Sequence, residues 1–225
     1  FVEQGVPEEK LVVTGKPSVD QMYEAMQPAN QRIIRKELGI PETRQVLLCA
    51  VPQLAEHLLM PWSQHWQEIE FLLATFAQLE NVSVVLSLHP KSSPSDYKPL
   101  ADRYGAILAK RRIYELLPAC DVFVATFSST VMQAIGIGRP TVLVDFYGLD
   151  YTFYDDAPGV IVLRSRDQLG NTLIRLFSDP QHYDLLAEAQ RQQASEWILL
   201  DGKCTERVVG ELYGLIESSA HNRLT

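Results

Sequence analysis

The chain has 225 residues and a mass of 25.4 kDa, with 46% hydrophobic and 21% charged residues. That composition excludes a disordered segment, and at this size roughly 70% of the unfolded surface is buried in a core. A net charge of −8 and a pI near 5.1 exclude a broad nucleic-acid surface, which needs clustered positive charge, but leave room for a local cationic pocket.

Residues 1–40 differ from the rest. Leu11–Thr14 predicts a short strand broken by Gly15-Lys16-Pro17, and Met22, Met26, Ile33, Ile34 and Leu38 predict a helix reaching Gly39-Ile40-Pro41. This stretch reads as a connector docking on a domain that spans 41–225. From there short β-rich runs alternate with helical patterns. Gln45–Val51 is the first strand, and Trp62, Trp66, Ile69, Leu73 and Phe76 then recur at helical spacing. Val82–Leu88 is a second strand, a short helix runs through Tyr104, and Ala106–Ala109 is a third. Ile113–Ala119 predicts a short helix, Asp121–Ala125 a fourth strand, and Ser129–Ile137 another helix. Pro140–Phe146 and Val160–Leu163 complete the strands, and Gln168–Leu215 holds two or three helices broken at Asp179-Pro180 and Asp201-Gly202.

Strands that are apolar on both faces, each followed by a helix, predict a doubly wound parallel α/β sheet of about six strands with helices on both faces. Ligands of such domains bind at the carboxyl ends of the strands. The loops after Val51, Leu88, Ala109, Ala125 and Val144 are therefore the ones to read. Cys49, Cys120 and Cys204 are too few and too scattered for a disulfide framework or a zinc site, and core packing is the expected role of the first two. No apolar run of ~18 residues and no basic-then-apolar leader is present, so a cytoplasmic protein is expected. The chain opens on Phe1 rather than Met, which predicts a processed chain or a piece of a longer one.

The strand ends carry the candidate chemistry. The loop after the first strand lacks Gly-x-Gly-x-x-Gly, and no Gly-x-x-x-x-Gly-Lys-Ser/Thr loop occurs anywhere. Thr126-Phe127-Ser128-Ser129-Thr130 closes an apolar strand and opens a helix with three consecutive hydroxyls. With Ser129 as N-cap, Ser128, Ser129, Thr130 and the helix amides can hold phosphate oxygens, or they can simply cap the helix. Gln133, four residues on, can reach sugar hydroxyls or be solvated. His89-Pro90-Lys91 fits proton transfer or charge neutralisation beside a phosphate, the alternative being a polar turn that stops a strand. Lys110-Arg111-Arg112 is either a solvated turn or the wall of an anion pocket. One phosphate-bearing ligand accounts for all three loops at once.

The order of these motifs resembles the C-terminal domain of GT-B-type nucleotide-sugar enzymes. That superfamily includes the non-hydrolysing UDP-N-acetylglucosamine 2-epimerases, the CDP-glycerol glycerophosphotransferases and the capsule-polysaccharide transferases. Val13-Thr14-Gly15-Lys16-Pro17-Ser18-Val19-Asp20 is similar to its interdomain segment, with Lys in place of Asn. Leu88-His89-Pro90-Lys91 is similar to the His-Pro element after the second strand. Glu115-Leu116-Leu117 through Asp121, Phe127-Ser128-Ser129, Gly138-Arg139-Pro140 and Asp201-Gly202-Lys203 with Glu206-Arg207 follow in the same succession.

The resemblance implies a Rossmann-like donor domain. It also implies a metal-independent glycosyl or polyol-phosphate transferase acting in surface polysaccharide or glycoconjugate biosynthesis. Its donor would be a UDP- or CDP-linked substrate, with no separate cofactor. An N-terminal partner domain would supply the acceptor side, and the isolated chain would be inactive. The full-length enzyme could associate peripherally with a membrane. On this implication Ser128, Ser129 and Thr130 bind the diphosphate, Gln133 replaces an acidic ribose ligand, Arg111–Ile113 border the base, Lys91, Arg111 and Arg112 are substrate-binding cations, and His89, near the phosphates or the reacting sugar, is catalytic. Thr126–Ser129 and Met132-Gln133 depart from the epimerase pattern, and Tyr147–Asp156 replaces its arginine-bearing segment. The Ser-Ser pattern is closer to the transferases. A 2-epimerase relative and a non-catalytic nucleotide-binding domain are the alternatives.

Overall fold

Six parallel strands form one sheet in the order β3-β2-β1-β4-β5-β6. The computed structural model describes residues 2–221, with side chains described over 3–217. The strands are β1 (Gln45–Ala50), β2 (Val82–Ser87), β3 (Ile107–Leu108), β4 (Val122–Ala125), β5 (Thr141–Val144) and β6 (Val160–Leu163). The helices are α1 (Ser18–Ala25), α2 (Pro28–Glu37), α3 (Trp62–Phe76), α4 (Pro94–Tyr104), α5 (Ile113–Leu116), α6 (Thr130–Gly136), α7 (Asp167–Ser178), α8 (Pro180–Trp197) and α9 (Cys204–His221).

Strand side chains alternate between two cores, as the period of two requires. Val46, Leu48, Phe123, Ala125 and Leu143 join Met22, Ile34, Leu116, Val131 and Ile135 on one face. Leu47, Cys49, Val122, Val124, Val142 and Val144 join Ile69, Leu73, Tyr97 and Leu169 on the other. Each face is covered by helices, so the strands read as continuous apolar runs. Val19, Met22, Ala25, Ile34 and Ile40 share the first of these cores with the central strands.

Two N-terminal expectations are corrected. Leu11–Thr14 is not a strand: it has no sheet partner, and Leu11, Val12 and Val13 are exposed. The Thr14 carbonyl instead accepts from the Arg207 guanidinium at 3.0 Å. The expected single helix is two, α1 and α2. Pro28 opens α2, and Gln27 before it is extended at φ −60°, ψ 133°, because the proline ring disfavours helical backbone in the preceding residue. The third strand is shorter than the expected Ala106–Ala109.

Gly15 shows why the N-terminal segment needs a glycine. Its φ is +78°, and a Cβ there would lie 2.4 Å from Cys204 Sγ. The chain can therefore pass directly against the first turn of α9.

Candidate active site

In this strand order the chain winds outward from β1 to β3 and then returns to place β4 on β1's other side. The carboxyl ends of β1 and β4 thus flank the switch point, where a doubly wound sheet leaves a crevice. A cleft of ≈ 1340 Å³ lies there. It is walled by Val51–Gln53 and His57 after β1, Ser87–Pro90 and Ser92 after β2, Ala109–Tyr114 after β3, and Thr126–Thr130 after β4. Four of the five expected loops converge on it, and the loop after β5 does not contribute lining residues. The ring of His57 meets that of Phe127 edge-on at 5.6 Å, closing the floor between the β1 and β4 loops.

The hydroxyl run is organised differently from the expected cap. Ser129 sits at the expected N-cap position, but it has helical dihedrals and its side chain is not in the place of a capping acceptor. Ser128 takes that place: its Oγ accepts from Thr130 N at 3.2 Å and lies 2.6 Å from Thr130 Oγ1, while its carbonyl accepts from Val131 N at 3.2 Å. Two first-turn amides are therefore already engaged. Because α6 has only seven residues, hydroxyls rather than a long helix dipole are the main polar offering to the cleft. The Ser128 carbonyl also accepts from Tyr154 Oη at 3.2 Å. Tyr154 is buried and its ring stacks on Trp197.

The expected site residues fall into two groups. His89, Arg111, Arg112, Ser128, Ser129 and Thr130 all line the cleft. Lys91 and Gln133 do not. Lys91 is exposed, and its backbone N–H donates to His89 Nδ1 at 3.2 Å. In that bond Nδ1 is the acceptor, so Nε2 is the ring nitrogen left to donate into the cleft. Gln133 is buried within α6, with its Oε1 unpartnered.

Arg111 lines the cleft, but its guanidinium is held by Glu37 at 2.8 Å and Glu115 at 2.6 Å. Its hydrogen bonds to Glu37, against some desolvation, raise its pKa further. Arg112 and Lys110 line the same wall, and their side chains have no ion-pair partner among the described residues. They are the cations available to an anionic ligand.

The cysteines are packing groups. All three are free and buried, and burial pushes the thiols of Cys49 and Cys120 up to about 12. Among the described residues no cluster of three or more His, Cys, Asp or Glu side chains is placed to hold a metal ion. No described helix is long and apolar enough to cross a membrane.

The family model for CDP-glycerol:poly(glycerophosphate) glycerophosphotransferase matches residues 4–214. The chain belongs to this family. It has no match among curated proteins. Among solved structures it resembles the wall teichoic acid polymerase TagF, with a TM-score of 0.68 at 16% identity over 96% of this chain and 54% of TagF. A TagF variant soaked with CDPG gives 0.67 at 16% identity, over 98% of this chain and 53% of that one. The UDP-GlcNAc 2-epimerase from Neisseria meningitidis bound to UDP-GlcNAc gives 0.62 at 16% identity, over 95% of this chain and 57% of the other. The family member described here thus spans about half the length of these structures and shares the Rossmann-like α/β fold of the part it covers.

Sequence reading missed Gln53, His57, Ser92 and Tyr114 as cleft-lining residues. The signal was available for the β1 loop, because the switch-point rule sets it opposite the β4 loop. The loop lacks the glycine fingerprint that would mark it by sequence alone.

Proposed function

We propose that this chain is the donor-binding part of a GT-B-type polyol-phosphate transferase, with a CDP-linked polyol phosphate seated in the cleft. The observation that carries the reading is the meeting of His89, Arg112 and the Ser128–Thr130 hydroxyls in one switch-point cleft of a glycerophosphotransferase-family chain. The diphosphate lies against the hydroxyls, Lys110 and Arg112 neutralise it without recourse to a metal, and the base lies toward Ile113 and Tyr114. The nucleotide ligands named for the soaked TagF variant and the bound epimerase support a nucleoside diphosphate on this fold. The family match favours transfer over epimerisation.

In the transfer step an acceptor hydroxyl attacks the phosphorus that bears the polyol. The bond from that phosphorus to the bridging oxygen breaks, and CMP leaves with the electron pair. The acceptor's proton passes to a base carried on the acceptor side, which a second domain presents. Catalysis of this kind is mostly positioning and charge stabilisation. With Nδ1 engaged by Lys91 N–H, His89 offers Nε2–H as a donor to the departing phosphate oxygen. The product class in this reading is a surface polyol-phosphate polymer made on the cytoplasmic side.

Isothermal titration of the chain with CDP, CDP-glycerol and UDP tests the reading. Saturable heats with the cytidine ligands are expected. Absence of binding by all three at millimolar concentration would overturn the donor-site assignment.

A further inference from the structure

The segment joining β1 to α3 contains a tight turn with an unusual residue in it. Leu59 N donates to Leu54 O at 2.9 Å and Leu58 N to Ala55 O at 3.0 Å, the bonding pattern of a Schellman turn. Its left-handed position, φ 59°, is held by Leu58 instead of glycine, and Leu58 is 91% exposed. No packing of its own side chain repays the left-handed backbone. Leu54 and Ala55 are buried and anchor the turn, so the strained geometry fixes the residue at its centre, Glu56.

Glu56 joins two loops of the cleft. Its Oε1 accepts from Ser92 Oγ at 3.3 Å and from Tyr97 Oη at 3.4 Å. Ser92 closes the turn that carries His89: Ser92 N donates to His89 O at 2.9 Å, and Lys91 N donates to His89 Nδ1 at 3.2 Å. Tyr97 is in turn fixed from behind. Its Oη lies 3.1 Å from Nε2 of His65, which is fully buried against the rings of Trp62 and Trp66. Glu56 Oε2 and His65 Nδ1 are buried without partners. Leaving such atoms buried and unpaired costs stability.

We propose that Glu56 is a positioning residue for the reaction of the cleft, holding the His89 turn through Ser92 while Tyr97 and His65 hold Glu56. Its effect on nucleotide affinity rests on the donor-site reading above; the stiffening of the His89 turn does not. Both hydrogen bonds reach the same oxygen, so an acceptor at Oε1 is what the role requires, and glutamine can supply it.

The test is backbone hydrogen exchange at Lys91 and Ser92, together with CDP titration, on the chain and its E56A and E56Q forms. For E56A, exchange at both amides accelerates about tenfold and CDP binds about tenfold more weakly, as loss of the two part-buried bonds implies. E56Q restores both readouts to within about twofold, because one acceptor oxygen remains. Exchange at Lys91 and Ser92 that is unchanged in folded E56A overturns the proposal, as does an E56Q form as impaired as E56A. If E56A does not fold, S92A takes its place, since it cuts only the link between the loops; unchanged exchange at Lys91 there overturns the proposal equally. A wild-type chain that binds no CDP sinks the donor-site reading, and the exchange result then decides the positioning role alone.

Discussion

Replacing Asp20 by alanine removes a cap that α1 supplies to the last helix. The N-cap position of α9 is Lys203, whose side chain has no acceptor for the first-turn amides. Asp20, in α1, provides one: its carboxylate accepts from Cys204 N at 2.9 Å and Thr205 N at 2.7 Å. Partial burial pushes the Asp20 pKa up, but the hydrogen bonds from Thr205 and Cys204 outweigh that and hold it at about 2, below the ordinary 3.8. Two charge-assisted bonds contribute up to ~1.5–3 kcal/mol each when shielded, but water reaches this partly exposed site, so about 1–2 kcal/mol in total is expected. For a chain of this size that lowers Tm by about 2–8 °C. A carboxyl with a depressed folded pKa stabilises above its unfolded pKa, and loses that contribution as pH falls through the folded value. The gap between wild type and Asp20→Asn is therefore full at neutral pH and closes as pH drops from 3.8 toward 2. Thermal melts of wild type, D20A and D20N across that range read both effects. A D20A form melting with wild type at neutral pH, or a D20N gap that persists at the acid end, would refute the reasoning.

Other substitutions test neighbouring parts of the account. Tyr154→Phe deletes the buried hydroxyl that braces the Ser128 carbonyl, and is expected to cost about 1 kcal/mol in urea unfolding. The same variant is expected to bind CDP several-fold more weakly. Leu58→Gly relieves a left-handed leucine and should raise unfolding stability by about 0.5–1 kcal/mol, the αL penalty less glycine's entropy; the urea midpoint is the readout. Arg112→Ala removes a cleft cation without an ion-pair partner among the described residues. It should weaken CDP binding, and flatten the salt dependence of that binding, in titrations at two ionic strengths.

The sheet was legible because its strands are apolar on both faces, and only a helix-covered parallel sheet uses such runs. Leu11–Val13 misled for the same reason: β-branched residues signal extended backbone, but whether a sheet edge lies beside them is a tertiary fact. The division of the N-terminal helix was written in Gln27-Pro28, since proline constrains the residue before it. In the cleft, the strand-end rule placed His89, Arg112 and Ser128–Thr130 together. Counting four residues from Ser129 set Gln133 toward the cleft, but that position is buried in α6 and its side chain does not line the cleft. Arg111 looked like a ligand cation, but Glu37 from the distant α2 already holds it. The segments similar to the superfamily at Thr14–Asp20 and Asp201–Arg207 do not reach the cleft wall; they meet each other, through Asp20 at the start of α9 and Arg207 on the Thr14 carbonyl. Glu56 carried no local signal at all, since its partners Ser92 and Tyr97 lie on another loop and helix.

The central claim is that a nucleoside diphosphate binds at the β1/β4 switch point. Amide chemical-shift mapping of the labelled chain during a CDP titration tests it most directly. The account predicts saturable shifts at Thr126–Val131, His89–Ser92 and Lys110–Tyr114, with the strands near β6 and the start of α9 unmoved. Shifts confined to those distant elements, or none at saturating CDP, would contradict it.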